Sequence, residues 1–597
     1  MGDHKLSLRS SLGDRPGLVG TEPDRPEVVS EVTTADQSSS LFVPVGGGLT
    51  RCYDATAMSA PLLVPLVLAL VALLARVATA ALFGEPAYPD SFYYVNVAQQ
   101  LAAGNGLSVD YIWNFVDVGG RLPADPSLPV PANAHWMPLA VLIQVPFIWL
   151  LGPTALASAL PFWIVSALVA PVTWLIARDA GLDSRTAIYG GLLAAVPGAV
   201  APYLAQPDNF ALFMLLGALC LWACARGLRG DRRAFILGGA CVGLATLSRT
   251  DGILLGVPFA LAFVVDLVRR HRPMRIGWTA AVLCALAFLV VTAPWWARQL
   301  AVFGSLTPSG SSGRILWITD YRELYSIGGD PPTLISFLGQ GLGPLLSSRL
   351  AGLGMAVAIF AAVPLLFFLG PFMLGAAWRH RTDPRFQPWL VYALTLFAFS
   401  GLLFAVHVPY GTFLHSAVAL LPHAYLLALI GVAGAIRWVA DHRSSWDAPR
   451  ATAIFSAVTV VMAMCGGVAG SLIAARAWGA EHELREQVAV ALEGVPAADR
   501  LMSPDAGGYR YQAGRSGIVT PDDPLPVVEA ALRAYDIRWL VLERDHIVPS
   551  LAPLLAGSER PGWLSRPRLV LGAPVNGLPR AALFAVCLRA TDSRCPA

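Results

Sequence analysis

Apolar positions fall along this chain in long, nearly unbroken blocks divided by short polar intervals, unlike the alternation of a half-buried strand or the one-sided stripe of a surface helix. The first block, residues 60–83, is long enough for a helix to cross about 30 Å of hydrocarbon at roughly 1.5 Å per residue. Further blocks of spanning length lie at about 155–177, 186–204, 207–226, 233–249, 252–269, 277–296, 350–377, 388–407, 414–437 and 451–475. They predict a polytopic α-helical membrane protein of about 11 spans over residues 58–475. Residues 1–57 mix Ser, Asp, Arg, Pro and Gly without apolar period, which predicts a disordered cytoplasmic leader, too long and too mixed for the n-region of a signal peptide. Past the last block the period changes. Strand-like runs at 500–502, 517–520, 538–542, 568–571 and 582–588 alternate with helical ones at 525–535 and 548–555, so residues 476–597 are expected to form a small α/β domain.

Loop charges orient the blocks. Short basic loops at 178–185, 226–233, 269–275, 379–385 and 437–450 belong on the cytoplasmic side. A further apolar run at 136–152 is short, opens near Pro138 and carries Gln144 and Pro146 in its middle. If it crossed the bilayer, the loop after Phe83 would share a side with all the basic loops, against a cytoplasmic N-terminus. Residues 136–152 are therefore expected to be a juxtamembrane segment. The first loop (84–135), the long loop (297–349) and the C-terminal domain then all lie outside.

Composition supports this frame and narrows the partners. Hydrophobic residues make up 55% of the 597 positions and charged ones 14%, with a mean hydropathy of +0.58, so the expected solvent is a lipid bilayer. A net charge of only +3 leaves no footprint for nucleic acid. Cys220, Cys224, Cys241, Cys284 and Cys465 fall inside apolar blocks, where a thiol behaves as a small hydrophobe. Cys587 and Cys595 are close enough to pair in an extracytoplasmic tail, with Cys52 left over.

Candidate chemistry gathers at the outer loops. In the first, Tyr88-Pro89-Asp90-Ser91-Phe92-Tyr93-Tyr94 opens an amphipathic helix; Asp90 is either a helix cap or a general base at the membrane face. Gln206-Pro207-Asp208-Asn209 brings a second carboxylate to the same surface. Ser248-Arg249-Thr250-Asp251-Gly252 is either a hydrated turn closed by a local Arg249/Asp251 pair or a phosphate contact, for which guanidinium is well shaped. Arg298, Arg314 and Arg322 are further candidates for phosphate contact, and His135 and His415 are either interfacial anchors or site residues.

An Asp90 before an aromatic-rich helix, His135-Trp136-Met137-Pro138-Leu139 opening the juxtamembrane run, an acidic second loop at Asp208 and the Arg249-Thr250-Asp251-Gly252 turn together resemble the GT-C integral-membrane glycosyltransferases. The resemblance is nearest to the branch of protein O-mannosyltransferases and lipid A aminoarabinose transferase, and it covers residues 60 to 300 best. It implies a polyprenyl-phosphate-linked sugar as donor, a glycan, lipid or protein as acceptor, and Asp90 as catalytic base of an inverting transfer. Asp208 takes the place of the second-loop acid. His135, Arg249, Asp251, Arg298, Arg314 and His415 are substrate-binding candidates. No cofactor is required, a divalent cation is possible, and the Ser91 that follows Asp90, where many relatives carry a second acid, leaves the metal open. A transporter or lipid flippase is the rival reading, but the chain shows no internal duplication and its notable charges lie at loops rather than at mid-membrane.

Overall fold

Each apolar block folds as helix in the computed structural model, which describes residues 59–84, 86–268, 275–306, 315–330 and 332–588. The leader 1–57, Cys52, Arg314 and Cys595 lie outside these residues. Among the described residues eight helices are long and apolar enough to cross a membrane, and a ninth is reached if the pair Ser184–Ala195 and Gly198–Ala205, bent by 42°, is one span. The expected 11 spans exceed this because other blocks form shorter pieces: Arg232–Ser248 has 17 residues and Gln387–Leu402 has 16. The block at 350–377 breaks into Leu342–Ala362 and Leu369–Arg379, with Leu366 and Phe367 at positive φ between them.

The helix surfaces divide as a lipid solvent requires. On Ser59–Ala80, Leu62, Leu66 and Leu70 are more than half exposed, whereas Leu68 and Ala72 pack against Ala167, Ala170 and Ala195. Small residues allow close approach elsewhere. A Cβ on Gly239 of Arg232–Ser248 would sit 2.0 Å from the Cys284 carbonyl oxygen of Gly277–Phe303. Gly239→Ala is therefore expected to cost about 1–3 kcal/mol and lower the thermal midpoint in detergent; an unchanged midpoint would show that this contact is slack.

The 136–152 segment forms two short helices, Leu139–Leu142 and Val145–Leu151, joined through Gln144, whose amide donates to the Ala140 carbonyl at 2.7 Å. Trp149 Nε1 ties the second to the end of the first-loop helix by donating to the Ala102 carbonyl at 3.0 Å.

Within the first loop β1 Ser108–Val109 pairs with β3 Val130–Pro131, and the C-terminal sheet has six strands in the order β2-β5-β4-β6-β8-β7: β2 Tyr111–Ile112, β4 Arg500–Ser503, β5 Gly517–Val519, β6 Ile537–Glu543, β7 Leu564–Leu571 and β8 Ala581–Val586. The first four in that order are parallel, and β8 pairs antiparallel with both β6 and β7. Two features tie the domain to the rest of the chain. Its edge strand β2 comes from the first loop, pairing Tyr111 with Gly517. The boundary placed after residue 475 falls inside one continuous 44-residue helix, Ala448–Ala491, whose length of about 66 Å is twice a hydrocarbon core. The last span thus carries the domain on its own extension. The Arg510 Nε–Asp110 Oδ2 ion pair at 2.6 Å fastens domain to first loop, and Asp523 fastens it to the long loop by accepting from Ser326 Oγ and the main-chain N–H groups of Ile327 and Gly328.

Candidate active site

Asp90 sits in the first turn of Pro89–Ala102, behind Pro89, whose fixed φ suits the start of a helix. The cap position belongs to Tyr88, which makes no side-chain capping bond, so the Asp90 carboxylate is not spent on capping. Asp208 does cap its helix, Asn209–Leu228, by accepting from the Asn209 N–H, and its other oxygen accepts from the Tyr88 hydroxyl at 2.6 Å. The two loops meet because the Gln206 side-chain carbonyl accepts from the Ala87 N–H at 3.0 Å.

His415, from Thr412–Ala417, lies between the carboxylates: Nε2 is 3.9 Å from Asp90 Oδ2 and Nδ1 is 3.8 Å from Asp208 Oδ2. Phe210 stacks on its ring at 3.8 Å. The Asn209 amide donates to the Tyr94 hydroxyl, which leaves its oxygen to accept from His415 Nδ1–H at 2.9 Å. Nε2 then carries the lone pair and faces a carboxylate oxygen, an arrangement of two acceptors that calls for a proton or a cation between them. One ligand atom from each of Asp90, Asp208 and His415 lies within 4.8 Å of the others, close enough to hold a single ion.

Arg249 supplies the cation facing this group. Its Nε meets Asp251 Oδ1 at 3.0 Å and its Nη2 donates to the Thr412 carbonyl at 3.4 Å, while Asp251 accepts from the Ser416 hydroxyl. The local Arg249/Asp251 pair is formed, and Arg249 also reaches the segment that bears His415. Enclosure by protein raises the Asp90 carboxyl well above the ordinary carboxylate range; the Asp208 charge adds to the rise and Arg249 opposes it. Enclosure also raises Asp208, against the pull of the Tyr88 and Asn209 donors and of Arg249. Asp90 keeps 26% of its side-chain surface open and Asp208 none, so Asp90 is the carboxylate that a substrate can touch.

A wall of rings borders the carboxylates. His135 packs 5.6 Å from Trp113, which stacks on Trp136 at 4.0 Å. Burial, then the charges of His407 and Arg249, push the His135 imidazole down to about 4, so it is neutral at physiological pH. Tyr321 of the long loop stacks on Tyr410 at 3.8 Å, and Tyr321 and Tyr325 both feel the Asp90 charge. His407 joins this wall, with Nε2–H donating to the Ile315 carbonyl at 3.2 Å. The sequence reading passed over His407, Tyr321 and Tyr410 because nothing in their spacing separates a site residue from an interfacial anchor.

Arg298 stands apart as a strut. Its Nη2 donates to the carbonyls of Leu107 and Ala132, and its guanidinium lies over Trp295 and Phe303, joining Gly277–Phe303 to the first loop. Arg322 pairs with Asp320 at 3.0 Å on the surface of the long loop. The structure therefore brings together Asp90, Asp208, Arg249, Asp251 and His415, with His135 on the adjoining wall.

Residues 134–297 match the family described as dolichyl-phosphate-mannose-protein mannosyltransferase, a stretch that contains His135, Asp208, Arg249 and Asp251. No curated protein sequence matches the chain. Among solved structures, the oligosaccharyltransferase of Archaeoglobus fulgidus is similar with a TM-score of 0.52 at 13% identity, over 82% of this chain and 70% of that one. ArnT from Cupriavidus metallidurans bound to undecaprenyl phosphate is similar with a TM-score of 0.51 at 14% identity, over 89% of this chain and 99% of that one. Similarity of fold along most of the chain, with the family match in its first half, makes this a multi-pass membrane protein of the GT-C glycosyltransferase fold.

Proposed function

We propose that the chain is a membrane glycosyltransferase that moves a sugar from a polyprenyl-phosphate donor to an acceptor at the outer face of the membrane, with Asp90 as general base. The observation that carries this is the partly open, raised carboxyl of Asp90 held against Asp208, His415 and Arg249 where helices and loops meet. The undecaprenyl phosphate on the similar ArnT and the mannosyltransferase family match support the lipid-phosphate donor. In the proposed reaction Asp90 takes the proton of the acceptor hydroxyl as its oxygen bonds to the anomeric carbon. The bond from that carbon to the phosphate oxygen breaks, its electron pair leaves with the lipid phosphate, and configuration inverts. Arg249 lies close enough to influence both carboxylates and is placed to offset the phosphate charge. The facing lone pairs of Asp90, Asp208 and His415 also fit a divalent cation, which would supply charge neutralisation to the departing phosphate.

A base acts deprotonated, so the rate should fall as pH drops through the raised titration of the Asp90/Asp208 pair, well above the ordinary carboxylate value near 4. The test is transfer from undecaprenyl-phosphate-linked sugars by the purified chain in lipid nanodiscs, followed against pH. Turnover only with nucleotide sugars, or lipid movement without a new glycosidic bond, would remove the reading; a rate flat down to pH 4 would remove Asp90 as base.

A further inference from the structure

A second set of ligand-type side chains lies where the Ala448–Ala491 helix meets the sheet. Glu481 comes from that helix, Glu543 closes β6 and His546 sits in the turn that follows, and one ligand atom of each lies within 4.8 Å of the others. Glu543 is 3% exposed: the Tyr509 hydroxyl donates to Oε1 at 2.7 Å, and Oε2 faces His546 Nδ1 at 3.4 Å. Glu481 Oε2 is enclosed and accepts no hydrogen bond. The nearest cation to it, Arg485 Nη2 at 3.8 Å, is already bound to Asp505 Oδ2 at 2.8 Å.

Three carboxylates, Glu481, Glu543 and Asp505, share this junction with two guanidinium groups: Arg485, only 6% exposed and with no acceptor at Nε, and Arg580, which donates to the Ala480 carbonyl at 2.7 Å and keeps its charge. The remaining negative charge, at a Glu481 oxygen that accepts no hydrogen bond, is met either by a protonated His546 or by a metal ion. The Tyr509 hydroxyl that fixes the Glu543 carboxylate is the kind of outer support that orients a metal ligand. Two carboxylates and one imidazole form a nitrogen–oxygen set suited to zinc, and the exposed side of His546 leaves a position for water.

We propose that Glu481, Glu543 and His546 form a divalent-metal site of the zinc class that clamps the C-terminal domain to the last membrane helix. The site is separate from the sugar-transfer centre and does not depend on that activity. Because only β5 and β4 separate β6 from the first-loop strand β2, the clamp fixes the sheet that the Asp90 loop joins.

The experiment uses the full chain in detergent, stripped with chelator, reloaded with Zn²⁺ alone and desalted before metal analysis. His546→Ala, at an exposed position, and the isosteric Glu481→Gln should each lower bound zinc by one equivalent relative to the unaltered chain. They should also abolish the zinc-dependent rise in thermal midpoint. Equal zinc content in all three proteins would overturn the site. A midpoint that responds to pH through His546 but not to zinc would overturn it too, assigning the junction to a protonated imidazole.

Discussion

Asp90→Asn is expected to lower kcat for sugar transfer by roughly 10²- to 10⁴-fold, the usual contribution of a positioned general base, while leaving the thermal midpoint unchanged or raised. The isosteric amide cannot take the acceptor proton. It also removes one of two enclosed carboxyls whose charges oppose each other, so the fold loses a repulsion rather than a support. Asp208→Asn should behave differently. Asp208 is fully enclosed and accepts from Tyr88 and from the Asn209 N–H, so its loss disturbs a helix start as well as the charge balance. The informative pair of readouts is therefore kcat with midpoint: a fall in rate at constant stability for Asp90, and a fall in both for Asp208. Full transfer activity in Asp90→Asn would reassign the base.

Much of this arrangement was legible before any coordinates. Lipid as solvent forces backbone groups to bond within their own segment, so long apolar blocks could only be helices. Asp90, Asp208, Arg249 and Asp251 were visible because a charge beside an apolar block stands out against its neighbours. What stayed hidden is tertiary. No local pattern indicates that Tyr111–Ile112 would complete a sheet begun some four hundred residues later, or that the last span would continue as one helix into the next domain. Arg298 reads from sequence like Arg249, and only the carbonyls of Leu107 and Ala132 show that it is a strut. The break at Leu366 and Phe367 follows Pro364, a mark that the uninterrupted apolar run at 350–377 hides.

Arg249 is where fold and chemistry are most tightly joined, and separating them gives the second large effect. Arg249→Ala leaves Asp251 largely buried with only the Ser416 hydroxyl as partner, and loss of one member of such a pair is expected to cost about 3–5 kcal/mol. Removing the partner as well, in Arg249→Ala with Asp251→Ala, should restore most of that stability, because no uncompensated charge remains. Activity should not return with it. Without the guanidinium, Asp90 and Asp208 lose the one charge that holds their titration down, so the acid limb of the rate profile should move upward by on the order of one pH unit. A turn that served only as a local ion pair predicts the opposite combination: the double variant would recover both midpoint and rate, with the acid limb unmoved. The thermal midpoint of the two variants, read beside their pH–rate profiles, decides between a structural turn and a cation placed for the leaving phosphate.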